Sequence, residues 1–93
     1  MKIERKIKVS NEYGLHSRPA SGLVQLAKQF ESDTFLHKVD DETKKADCKS
    51  VLSILLLGAV KGTELIISGS GPDAENAIME ITKFFKRNFD EAL

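Results

Sequence analysis

Residues 2–30 read KIERKIKVSNEYGLHSRPASGLVQLAKQF, and within them the spacing of the apolar side chains changes once. From Lys2 to Val9 apolar and charged residues alternate. This places Ile3, Ile7 and Val9 on one face and mostly lysines on the other, as a half-buried strand requires. From Ser17 to Phe30 the period is different: Ala20, Leu23, Val24, Ala27 and Phe30 recur at steps of three and four, which predicts a helix with one apolar stripe. Gly14 gives the chain a flexible entry to that helix. The fold therefore begins with a strand feeding a helix through a short polar junction.

The remaining elements follow from there. Thr34 to Val39 returns to strand-type residues. Asp40, Asp41 and Glu42 read as a turn, longer than a tight two-residue hairpin, before a short charged strand from Thr43 to Asp47. Lys44 and Lys45 suit that strand to a sheet edge. Ser50 can cap a helix running to Leu57, closed by Gly58. Thr63 to Ser68 carries Leu65, Ile66 and Ile67, a run suited to a central strand. Ser70, Gly71, Pro72 and Asp73 then resemble a helix start, with Ser70 as cap, Asp73 completing a capping box and Pro72 harmless in the first turn. Ala77, Ile78, Ile81, Phe84 and Phe85 form the stripe of this last helix. The order βαββαβα predicts an α+β fold in which helices cover one face of a small antiparallel sheet.

Composition narrows the function. With 93 residues, the chain is expected to bury roughly 64% of its extended surface, enough for one core but not for a deep, enclosed active site. A single domain over residues 1–93 is the expectation. Fourteen Lys and Arg balance fourteen Asp and Glu, which argues against nucleic-acid binding by bulk electrostatics. Cys48 is the only cysteine, so neither an internal disulfide nor a cysteine zinc cluster is available, and a reducing compartment fits best. The alternating N-terminus lacks the apolar core of a secretory signal, so the protein is expected to stay where it is made. The greasiest run, Val51 to Val60, is too short to span a bilayer.

The chemistry is concentrated in Gly14-Leu15-His16-Ser17-Arg18-Pro19-Ala20. This stretch places an imidazole at a helix N-terminus, where the first backbone N–H groups lack partners and the macrodipole is positive. A cationic ring is disfavoured there and an anion is welcome. A neutral, nucleophilic His16 follows, with the forked charge of Arg18 two residues on for the same anion. Such a site can hold a phosphoryl group covalently on His16, without a metal or an enclosed pocket. The plainer alternative, in which His16 is an ordinary loop residue and Arg18 a solvated charge, stays open on these residues alone.

The seven-residue stretch resembles the active-site motif G-[L/I]-H-x-R-P-A of the histidine-containing phosphocarrier family HPr, from the bacterial phosphoenolpyruvate-dependent sugar phosphotransferase system. The likeness extends in order along nearly the whole chain. Lys49, Ser50, Val51 and Leu52, then Leu57 and Gly58, are similar to the family's second region around a regulatory serine. Lys61 to Glu64 with Ile66 to Ser68 resembles its fourth strand, and Gly71 with Asp73 the start of its last helix. The resemblance implies an open-faced β-sandwich, a four-stranded antiparallel sheet covered on one face by three helices.

It also implies roles. Phosphorylated enzyme I passes a phosphoryl group to Nδ1 of the family histidine, here His16, which hands it to IIA domains of sugar permeases. Arg18 matches the phosphate-contacting arginine, and Ser17 the variable position whose backbone N–H faces the phosphate. Ser50 corresponds to the serine modified by HPr kinase/phosphorylase, although a serine there is also simply a good cap. Leu52 and Leu55 match partner-binding positions, with Lys28 and Lys49 placed to attract acidic partners. The implied protein is a cytoplasmic monomer and a stoichiometric carrier rather than an enzyme. It has no cofactor, no metal, no nucleic-acid partner and no membrane insertion.

Departures from the pattern are the longer turn at residues 40–43, the bulky Tyr13 before the motif glycine, Leu56 where a small polar residue is usual, and a tail through Arg87, Asn88, Phe89, Asp90 and Glu91. Of the other leucine-type positions on the second helix, Ile54 and Leu57 are expected in the core. Gly69-Ser70-Gly71 lacks the remaining residues of a nucleotide-binding loop. His37 reads as a half-exposed strand residue and Cys48 as a quiet small side chain. Two rival functions are a regulatory interaction module controlled through Ser50, against which His16 argues, and an RNA-binding βαββαβ domain, which lacks the stacking aromatics.

Overall fold

The computed structural model describes residues 2–91. The chain runs β1 (Lys2–Lys8), α1 (Ser17–Ala27), β2 (Asp33–Lys38), β3 (Asp41–Asp47), α2 (Val51–Leu57), β4 (Glu64–Ser70) and α3 (Ala74–Lys86), then a 3₁₀ turn over Asn88–Asp90. The strands form one antiparallel sheet in the order β1-β4-β2-β3. The three helices lie on one of its faces, so the architecture is the open-faced sandwich expected.

Strand chemistry accounts for the order. β4, with Leu65 and Ile67 fully buried, sits between β1 and β2, while the lysine-rich β3 takes an edge. Ile7 pairs with Leu65 and Leu36 with Ile67, which places these side chains together on the helix-covered face. Leu23 of α1, Ile54 of α2, and Ile78, Ile81 and Phe85 of α3 close over them. Each side chain buried in this way contributes about 1.5–3 kcal/mol relative to its exposed state. Ile54 is fully buried and Leu57 packs on the core, as expected of both.

Four local expectations are corrected. The first helix ends at Ala27 rather than Phe30, because the N–H groups of Gln29 and Phe30 bond to carbonyls only three residues back, tightening the chain out of the α ladder. The turn between β2 and β3 is not long. Lys38 pairs with Asp41, leaving Val39 and Asp40 as a two-residue turn, and the extra length is taken up within β3. The register shifts there by three residues between the Leu36–Ala46 and Lys38–Asp41 pairs.

The third correction concerns the start of α3. Ser70 is the last residue of β4, not a helix cap, and Asp73 occupies the N-cap position without capping the helix through its side chain. Its carboxylate instead accepts from the N–H groups of Glu31 and Ser32 and from the Ser32 hydroxyl, which in turn accepts from the Asp73 N–H. These bonds tie the α1–β2 bend to the α3 start and hold the Asp73 carboxyl below its ordinary value of 3.8, with the Ser32 hydroxyl the largest cause. Finally, His37 is buried rather than half-exposed, opposite the irregular stretch of β3.

Candidate functional site

The site is built where β1 gives way to α1. After Val9, the Asn11–Gly14 turn is closed by the Gly14 N–H on Asn11 O at 3.2 Å, and Asn11 Nδ2 donates to Gly14 O at 2.7 Å. Gly14 has φ +67°, and a Cβ on it would lie 2.6 Å from Ala59 O. Glycine is needed here because only it combines a left-handed backbone with so close an approach. The next residue, Leu15, donates its N–H to the same Ala59 carbonyl at 2.9 Å and buries its side chain. The loop is thereby fixed to the segment that leaves α2.

His16 follows as the N-cap residue of α1, in extended conformation and with no capping bond from its side chain. Its carbonyl accepts the Ala20 N–H at 2.9 Å, the first helical hydrogen bond. Pro19 has no N–H, so the N–H groups of Ser17 and Arg18 are the two that face out of the helix start. Ser17 and Arg18 are both exposed, and Arg18 pairs with no carboxylate among the described residues. The imidazole itself is 36% exposed. Its Nε2 lies 2.9 Å from Glu91 Oε2, and the Tyr13 ring meets it edge-on at a centroid distance of 6.2 Å. Tyr13 is itself largely exposed, so it flanks the histidine without covering it.

Two residues of this cluster escaped the sequence reading. Asn11 is 3% exposed and bridges Gly14 O and Glu91 Oε1, the latter at 2.8 Å. Glu91 belongs to the tail, in which the sequence signals no more than added length. Nothing in the local pattern signals that residues 75 and more positions apart meet.

The second region lies on α2. Ser50 is its N-cap, its Oγ accepting the Ser53 N–H at 3.2 Å, and Gly58 closes the helix in the left-handed conformation. Leu52, Leu55 and Leu56 are exposed on this helix, Leu56 the most so at 78%. Leu56 thus enlarges the outer face and not the core, lining shallow grooves with Lys44 and Leu57. Lys28 is exposed, whereas the Lys49 ammonium is engaged, donating to Phe30 O at 3.0 Å.

Cys48 is fully buried, and burial pushes its thiol up to about 12, in keeping with a packing role. Among the described residues no cluster of three or more His, Cys, Asp or Glu side chains is placed to hold a metal ion. No described helix is long and apolar enough to cross a membrane.

Comparison with known proteins bears on this arrangement. Residues 3–87 match the family model described as the PTS HPr component phosphorylation site. The phosphocarrier protein NPr of Escherichia coli K12 is 31% identical over 91 residues, covering 98% of this chain and 99% of that protein. The phosphocarrier protein HPr of Vibrio cholerae is 40% identical over 75 residues, 81% of this chain and 85% of its own. In three dimensions the crystal structure of HPr-C-His from Thermoanaerobacter tengcongensis superposes with a TM-score of 0.87 at 34% identity, covering 98% of this chain and 99% of that one.

Proposed function

The chain belongs to the HPr family of phosphotransferase-system phosphocarriers, and from that premise we propose that His16 accepts a phosphoryl group from phosphorylated enzyme I and passes it to IIA domains of sugar permeases. The observation that carries this reading is the placement of the His16 imidazole at the start of α1, beside two outward N–H groups and the exposed Arg18. In transfer, the Nδ1 lone pair attacks the phosphorus of the donor's phosphohistidine, and the donor P–N bond breaks as the new one forms. The helix N-terminus and Arg18 bear the negative charge of the phosphoryl oxygens. A half-exposed ring is what such a relay needs, because donor and acceptor must each reach the same nitrogen.

Docking is assigned to Ser17 with Leu52 and Leu55 of α2, and to the charges of Lys28 and Lys49. Exposed leucines among polar groups suit a surface that must bind and release several partners. Ser50 is the proposed site for HPr kinase/phosphorylase. A phosphate there adds about −2 charge at a helix N-terminus, next to the leucines that partners contact. The protein so described is a cytoplasmic, monomeric, single-domain carrier that turns over only with its partners.

The test is incubation with enzyme I and phosphoenolpyruvate. An acid-labile phosphate on the wild type that disappears in His16→Ala is expected; absence of label, or equal label on the variant, rejects the carrier role. With ATP and HPr kinase, an acid-stable phosphate should disappear in Ser50→Ala, and label surviving in that variant rejects Ser50.

A further inference from the structure

We propose that Glu91 is the positioning residue of His16: its carboxylate holds the proton on Nε2, presents Nδ1 as the free nucleophile, and neutralises the ring once Nδ1 is phosphorylated. The proposal deepens the carrier reading and rests on it. Its ground is the 2.9 Å contact between His16 Nε2 and Glu91 Oε2. An ionised carboxylate only accepts hydrogen bonds, so the nitrogen facing it must carry the hydrogen, and in a neutral imidazole the other nitrogen then keeps its lone pair.

Proton accounting gives the carboxylate its second task. When Nδ1 of the neutral ring forms the N–P bond, the proton on Nε2 has nowhere it needs to go. The phosphorylated ring therefore carries a positive charge, divided between a phosphorylated nitrogen and a protonated one. That charge forms at the N-terminus of α1, where the macrodipole opposes it. Glu91 offsets both effects at once: it pairs with the ring on the side away from Nδ1, and as an anion it suits a helix start. When the phosphoryl group leaves, the electron pair returns to Nδ1 and the proton remains on Nε2, ready for the next cycle.

The tail is shaped to deliver this carboxylate. After α3, Asn88, Phe89 and Asp90 have φ of +53°, +58° and +59°. Three successive non-glycine residues in the left-handed region each cost about 1–2 kcal/mol, and such a turn persists only where its surroundings enforce it. Here they do. Phe89 is buried against the rings of Phe84 and Phe85, at centroid distances of 5.4 and 4.7 Å. Ser10 Oγ donates to Asn88 Oδ1 at 2.7 Å, and Arg87 Nε to Asp90 Oδ1 at 2.7 Å. The Asn11 amide then holds the other Glu91 oxygen at 2.8 Å. Glu91 lies beyond residue 87, where the match to the family model stops.

The test compares wild type with Glu91→Gln and Glu91→Ala, first unphosphorylated and then with enzyme I and phosphoenolpyruvate. In ¹⁵N-labelled wild type, the His16 ring should show a protonated Nε2 whose hydrogen exchanges slowly with water, and an unprotonated Nδ1. Glu91→Ala should lose the slow exchange. Glu91→Gln keeps an acceptor without its charge, so it should retain the tautomer yet, like Glu91→Ala, take up phosphate about tenfold more slowly, the scale of one charge-assisted hydrogen bond. Amide spectra and unfolding midpoints matching wild type separate this from a structural effect; if Glu91→Ala does not fold, Glu91→Gln alone carries the comparison. A wild-type ring protonated on Nδ1, or a Glu91→Gln variant as fast as wild type, overturns the proposal. A wild type that takes no phosphate would reject the carrier reading instead, and the tautomer measurement would still decide the role of Glu91.

Discussion

Gly14→Ala is expected to destabilise the protein by about 2–4 kcal/mol, and the structure separates the sources. Gly14 has φ +67°, where an L-residue costs about 1–2 kcal/mol. The new methyl would also stand 2.6 Å from Ala59 O and 2.9 Å from Val60 Cα. Both are backbone atoms, so no rotamer change relieves the overlap. The loop must instead move away from residues 59–60, straining or breaking the Leu15–Ala59 hydrogen bond at a further cost of about 1–2 kcal/mol. Gly58→Ala is the internal control. Its φ of +65° is nearly the same, but nothing lies within 4 Å of its would-be Cβ, so it should lose only the conformational part. Urea unfolding followed by circular dichroism gives both values, and thermal midpoints should fall roughly 10–20 °C for Gly14→Ala. Equal losses in the two variants would refute the claim that close backbone approach, rather than φ alone, demands glycine at residue 14.

Ser50→Ala should lose about 1 kcal/mol, the worth of its cap on the Ser53 N–H, and a thermal midpoint unchanged within error would contradict the capping geometry. Asp73 contributes stability through its ionised form, because the Ser32 and Glu31 donors favour the carboxylate in the folded state alone. That contribution is fully present above the ordinary value of 3.8 and is lost as pH falls through the lower folded-state value. The stability gap between wild type and Asp73→Asn should thus be flat from about pH 5 to 8 and close below about pH 4; a gap that persists into strong acid would show that the carboxylate charge is not its source. The Cys48 thiol, pushed to about 12 by burial, should resist a thiol reagent at pH 8 until the protein is unfolded in urea. Rapid labelling of the native protein would mean that the site opens far more readily than its packing allows.

Much of this molecule is legible from one dimension because its elements are amphipathic with clean periods. The alternation in β1, the three-and-four spacing in α1 and α3, and the Ser50 and Gly58 caps of α2 are all local signals, and each corresponds to an observed element. The same holds for the centre of the site. His16, Ser17 and Arg18 are adjacent in sequence, so placing a helix start at Ser17 already places the imidazole, the guanidinium and two free N–H groups together.

Sequence pattern misleads where a residue's partner is remote or where strand pairing is irregular. Asp73 looks like part of a local capping box, yet Ser32, 41 residues away, claims its carboxylate. The acidic run at residues 40–42 looks like a loop, but pairing of Lys38 with Asp41 makes a tight hairpin and moves the surplus residues into β3. His37 reads as a half-exposed strand residue, because alternation along one strand does not report the burial it acquires in the finished fold.

The chain by itself thus determined which residues form helices and strands, which of their faces are apolar, and which short segment sets an imidazole at a helix start, since these depend on neighbours within a turn or two. Only the tertiary structure decided that a left-handed tail anchored by Phe89 returns Glu91 to His16, and that Asn11 grips the far oxygen of the same carboxylate. Backbone periodicity fades beyond a single element. Contacts spanning 75 and 80 residues are set instead by how the finished sheet and helices bring loop and tail to one edge, and that is where the histidine acquires its partner.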